Sequence, residues 1–297
     1  MEGDDDVFRA LKKHSCNNDE LNKYLDAGTR YFRARHQAIS IDNYLDAHQS
    51  DKYTILCGKL GIAKTILESE QKSLLYYDET NRERMNFESL ENTWYGAFQQ
   101  ILMENVEKSK LHKPFERVSF ITFNYDRCIE HFLVNAVSNY YSVPLHDVYP
   151  IVKQTVIRHP YGVVGLLPWQ DSAQDIQPVS FGQIQNVDLL QIAGQLYTFT
   201  EQQENNQKLA AIRQTVQEAE IVVFLGFGFH SLNMELLSPG GSCSAKKIYL
   251  TYDGISASDL LIVRDSIRKA IPGASEENPL GAPCAVFFKH FWRSLAS

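Results

Sequence analysis

The chain has 297 residues, of which 44% are hydrophobic and 22% charged, with a formal net charge of −7. This composition excludes a disordered or fibrous chain, and the acidic balance disfavours direct nucleic-acid binding, which needs a local or general basic excess. Five scattered cysteines (Cys16, Cys57, Cys128, Cys243 and Cys284) include no C-x-x-C pair, so reduced thiols are expected rather than a disulfide frame or a structural metal.

The opening "MEGDDDVF" leads into no apolar run of signal-peptide or membrane-span length, which predicts a cytoplasmic protein. From about residue 7 to 110 the apolar spacing is helical. "DELNKYLDAGTRYFRARHQ" sets Leu21, Tyr24, Leu25, Tyr31 and Phe32 on one stripe, and "ISIDNYLDAH", "YTILCGKLGIAKTILESEQ" and "LENTWYGAFQQILMENVEK" continue the pattern. The aromatic residues of this stretch read as core, with a homo-oligomeric surface as their other use.

The texture changes at Val118. "VSFITFN" is a short β-branched and aromatic run, followed at once by the helix "DRCIEHFLVNAVSNYY". "TVIRHP" predicts a second strand running into the turn "YGVVG". The helix "NNQKLAAIRQTVQEA" then leads into the strand "EIVVFLGFGF". "KKIYLTY" predicts a further strand, "ASDLLIVRDSIRKA" a helix, and "CAVFFKHFWRSL" a closing strand and helix. Alternation of strand and helix implies an α/β fold: a Rossmann-like parallel sheet covered by helices, with an N-terminal helical layer or insertion. The expected division is a helical layer at 1–112 and an α/β core at 113–297, with the interruption at "HKPFER".

Ligands of open α/β sheets bind beyond the carboxyl ends of the strands, where helix N-termini and backbone donors point. Four predicted strand ends carry polar or glycine residues. Asn124 can hold a water or a ribose hydroxyl, and Asp126 can cap the next helix. In "RHPYGVVG", Gly162 permits a tight turn and His159 is a group that titrates near neutral pH. In "FLGFGFHSLN", Gly226 and Gly228 allow close approach of a ribose or phosphate, with Ser231 and Asn233 opening the next helix. Asp253 in "LTYDG" is placed to bind a ribose hydroxyl. Each has a plainer use: turn and cap residues for Asn124 and Asp126, a loop histidine at 159, a strand-to-helix turn at 226–228, and a helix-initiating turn at 253.

Taken together, "FITFNYDRCIE", "IRHPYG", "VVFLGFGFHSLN" and "IYLTYDG" resemble the sirtuin-like NAD-hydrolase family of bacterial antiphage defence proteins, and "ISIDNYL" and "NTWYGAF" resemble its helical-layer motifs. The resemblance runs from about residue 39 to the C-terminus. It implies cleavage of the bond between nicotinamide and ribose in NAD, with NAD as substrate and no metal. By motif, Asn124 would position the nucleophile or the ribose, Asp126 would support its turn, and Gly226 and Gly228 would line the ribose pocket. The family's catalytic His stands immediately before the Gly of its "K-x-HG" element; here Tyr161 holds that place and His159 lies two residues earlier. The family also opens with an apolar strand and a Gly-rich loop that holds the pyrophosphate, and "MEGDDD" is expected to lie past that point. A degenerate member, serving as a nucleotide-binding or assembly module beside another defence protein, is the second expectation. Protein deacylation is disfavoured, because the sirtuin zinc ribbon needs two cysteine pairs.

Overall fold

A computed structural model describes residues 5–81, 83–171, 177–204, 206–276 and 279–296. The helices are α1 (Asp5–His14), α2 (Asn18–Ala34), α3 (Ile41–Ala47), α4 (Lys52–Gln71), α5 (Trp94–Leu102), α6 (Cys128–Tyr141), α7 (Leu145–Val152), α8 (Leu189–Ala193), α9 (Phe199–Glu204), α10 (Asn206–Glu218), α11 (Ser231–Leu237), α12 (Ala257–Ala270), α13 (Cys284–His290) and α14 (Trp292–Leu295). The strands are β1 (Ser119–Ile121), β2 (Val156–Arg158), β3 (Ile221–Phe224), β4 (Lys247–Leu250) and β5 (Ser275–Glu276). The chain folds into two compact units, each assembled from three stretches: 1–84, 122–131 and 161–204 in the first, and 85–121, 132–160 and 205–297 in the second.

The first unit is built around α4, which packs against α2, α3 and α8. Its buried residues, among them Thr54, Cys57, Leu60, Ile62, Ala63, Leu67 and Glu70, leave little of its circumference to solvent, as expected of a helix that is apolar nearly all round. Gly58 lets α3 come close, since a Cβ there would lie 2.3 Å from Leu45 Cδ2. The helix starts are set by side chains that accept from otherwise unpaired N–H groups: Asn17 from Glu20, Ser40 from Asn43, and Asp51 from Tyr53 and Thr54.

The second unit carries the strands. β1 and β2 pair in parallel with Phe120 opposite Ile157, and β3, β4 and β5 form a second parallel sheet in that order. The fold is therefore mixed α/β with parallel pairing, as the alternation implies, but the strands are short and lie in one sheet of two and one of three instead of a single continuous sheet. "VSFITFN" contributes three strand residues and "EIVVFLGFGF" four. Polar and glycine residues at the ends of these runs turn the backbone away before a longer ladder forms.

The expected strand in "CAVFFKHFWRSL" is instead two short helices, α13 and α14, joined at Phe291. Phe287, Phe288 and Phe291 are all buried, a spacing of one and four that only a helix directs to one side. Pro283 precedes the helix, where its missing N–H costs nothing. These rings close an aromatic core: Tyr249 lies 4.8 Å from Phe291, and Phe98 lies 5.3 Å from Phe288 and 5.7 Å from Phe120. No disulfide joins the five cysteines, and burial pushes the Cys57 thiol up to about 12. Among the described residues no helix is long and apolar enough to cross a membrane.

Candidate functional site

In the first unit, the stretches that follow β1 and β2 run side by side. The Val164 N–H donates to the Tyr125 carbonyl at 3.0 Å, and the Tyr161 ring lies 5.8 Å from Phe123 and 6.3 Å from Tyr125. The structure thus brings together Asn124, Asp126, Tyr161 and Gly162 from two different strand ends. Asn124 is exposed, and its N–H donates to Thr122 Oγ1 at 3.3 Å. Asp126 caps α6 by accepting from the Cys128 N–H at 3.0 Å, the use its place ahead of a helix predicts.

The residues between and after them are fixed from inside. Tyr125 is buried and its hydroxyl donates to Asp42, the second residue of α3; burial first, then the Asp42 carboxylate, hold the phenol well above its ordinary range. Arg127 is fully buried against Glu70 of α4. Glu70 Oε1 accepts from the Arg127 N–H at 2.9 Å and from Nε at 3.1 Å, and Oε2 accepts from Nη2 at 2.5 Å and from the Gly182 N–H at 3.0 Å. The remaining guanidinium hydrogens go to the carbonyls of Gly165, Val179 and Ser180. A buried charge pair is tolerable only when its lone pairs and protons are satisfied in this manner.

Tyr161 is also buried, and desolvation, followed by Asp42 and Asp46, raises its phenol. A neutral phenol shut from water cannot take a proton at neutral pH, so Tyr161 is unsuited to the role of a general base. Gly162 has φ +84°, and a Cβ there would stand 2.0 Å from the Gln195 carbonyl oxygen, while the Tyr197 N–H donates to the Tyr161 carbonyl at 2.9 Å. This glycine is required by the chain's own backbone at 195–197.

His131 sits nearby in the same unit, in the first turn of α6. It is stacked 4.0 Å from Phe181 and 5.4 Å from Tyr77, with Nε2 donating to the Leu75 carbonyl at 3.2 Å. Burial pushes it down to about 3, which keeps it neutral and out of acid–base work near pH 7.

The other candidates belong to the second unit. His159 follows β2 and is half-buried. At the end of β3, Gly226 has φ +60° and its N–H donates to Thr251 Oγ1 at 2.8 Å, tying the ends of β3 and β4 together. Thr251 Oγ1 lies 3.9 Å from Cys284 Sγ at the start of α13. Gly226 and Gly228 are both exposed, Phe229 between them and α11 takes φ +52°, and Ser231 is exposed with Asn233 half-buried. A non-glycine residue in that region costs on the order of 1 kcal/mol, here held by the rings of Phe224 and Phe227, which lie 5.3 and 5.1 Å from that of Phe229. Asp253 is exposed in a turn, and α12 is capped by Ser256 rather than by it.

Sequence patterning missed Glu70, Arg127, Asp42 and His131. A signal for Glu70 exists: Ala63, Leu67 and Glu70 recur at four and three along one buried stripe, and a carboxylate on such a stripe demands a cation. Among the described residues no cluster of three or more His, Cys, Asp or Glu could hold a metal. No family model matches this chain, and comparison with curated proteins and with solved structures returned no match.

Proposed function

We propose that this protein is a sirtuin-like NAD hydrolase that cleaves the nicotinamide–ribose bond, serving as an antiphage effector in the cytoplasm. The motif resemblance brings NAD; one structural observation supports Asn124 as the residue that addresses it. Of the four consecutive residues 124–127, Tyr125 and Arg127 are anchored in the core and Asp126 caps a helix, while Asn124 lies at the surface just beyond β1. An amide carried by such a hinge is of the right chemistry to address a ribose hydroxyl or a water. The bond from ribose C1′ to the pyridinium nitrogen breaks through an oxocarbenium-like state, water adds at C1′, and nicotinamide, ADP-ribose and one proton are released.

Burial of Tyr161 favours a second reading, a nucleotide-binding or assembly module that partners another defence protein and leaves the bond intact. The two separate in one experiment: nicotinamide release from NAD by the wild type and by Asn124→Ala, alongside NAD binding by calorimetry. Release that is lost in the variant supports the hydrolase. Binding without release supports the module, and neither binding nor release removes both.

A further inference from the structure

Within the first unit, the C-terminal half of α2 and the helix α3 line an open depression of about 580 Å³, a volume that can take a small metabolite. We propose that this depression is a binding site for a phosphorylated small molecule, separate from the NAD reading above. In a chain of net charge −7, none of the nine residues lining the depression is acidic. The lining includes Arg30 and Arg33, the amides of Gln37 and Asn43, and His48 stacked 4.2 Å over Tyr44.

Arg30 and Arg33 are three residues apart on one helix, where like charges repel. Arg30 is compensated, since Nη2 donates to Asp51 Oδ2 at 2.7 Å. Arg33 is exposed and makes no hydrogen bond or ion pair among the described residues. The His48 ring is oriented by Nδ1 donating to the Tyr44 carbonyl at 2.8 Å, which directs Nε2 away from its own helix backbone. Two guanidiniums and two amides around one opening are donors matched to phosphate oxygens, and the guanidinium fork takes two of them at once.

The test uses the full chain and inorganic pyrophosphate as probe, with citrate as a carboxylate control. Pyrophosphate is expected to bind saturably, to shift the His48 ring resonances in NMR spectra, and to weaken at least about tenfold in Arg33→Ala, as loss of one charge-assisted contact implies. Lys13→Ala, which removes an exposed partner of Asp188, should leave binding unchanged. Equal affinity in wild type and Arg33→Ala, an unmoved His48 resonance, or citrate binding as tightly as pyrophosphate would each overturn the proposal. Because nicotinamide release is not the readout, the outcome stands apart from that of the hydrolase assay.

Discussion

Glu70 and Arg127 form an ion pair whose side chains are both shut off from water, with Nη2 2.5 Å from Oε2. The pair joins α4, the hinge at 124–127 and the loop that carries Val179 to Gly182. Removing either partner strands a buried charge, so Glu70→Ala and Arg127→Ala should each lose about 3–5 kcal/mol of stability. The double change Glu70→Leu with Arg127→Met should recover most of that loss. Urea denaturation of the three variants checks it, and a double variant as unstable as the singles would show that the charges themselves are needed.

His131 sets an acid limit. The unfolded chain takes up a proton at this ring near pH 6.5, whereas the buried ring resists until about 3. The stability that its neutral form contributes is therefore complete above pH 6.5 and is lost as pH falls toward 3, at about 1.4 kcal/mol per pH unit within that window. His131→Phe keeps the stacking and removes the titration, so its unfolding free energy should fall less steeply between pH 6.5 and 4 than that of the wild type.

Two glycines separate backbone strain from collision. Gly162 and Gly254 both have positive φ, at +84° and +79°, but a Cβ at 162 meets the Gln195 carbonyl at 2.0 Å while one at 254 meets nothing within 4 Å. Gly254→Ala should cost about 1–2 kcal/mol, the left-handed penalty alone. Gly162→Ala should cost clearly more, because the 195–197 backbone must move. Equal urea midpoints for the two variants would contradict this.

The hinge predicts a division between binding and folding. Asn124→Ala should leave the thermal midpoint within about 1 °C, since an exposed side chain contributes little to stability, and should abolish any nicotinamide release. Tyr161→Phe should leave the rate of release unchanged, because a buried phenol takes no proton. A rate that collapses in Tyr161→Phe would assign this residue the chemistry denied to it here.

Much of the fold was legible where one physical rule acted alone. The helical spacing before residue 110 matches α2 to α5, and the alternation after Val118 gives parallel pairing in β1–β2 and β3–β4. The failures fall where two patterns share the same residues. "CAVFFKH" is apolar enough for either a strand or a buried helix, and only the tertiary position of Phe287, Phe288 and Phe291 decides. On α2, Leu25 and Phe32 read as core but are 38% and 44% exposed, while Tyr24 and Ala27 carry the buried face. Of the site, the capping role of Asp126 was readable because it is local. The grip of Glu70 on Arg127 was not, because it spans 57 positions and leaves no short-range trace.

The weave of the chain has a consequence for its synthesis. The polypeptide passes between its two units at 84/85, 121/122, 131/132, 160/161 and 204/205. A nascent chain emerging from the ribosome cannot finish the first unit until residue 204 is out, and cannot finish the second until the last helices follow. Half-made chains must therefore carry uncovered apolar surface through most of translation, and expression in cells lacking nascent-chain chaperones should lower the soluble yield far more than it lowers the stability of molecules already complete.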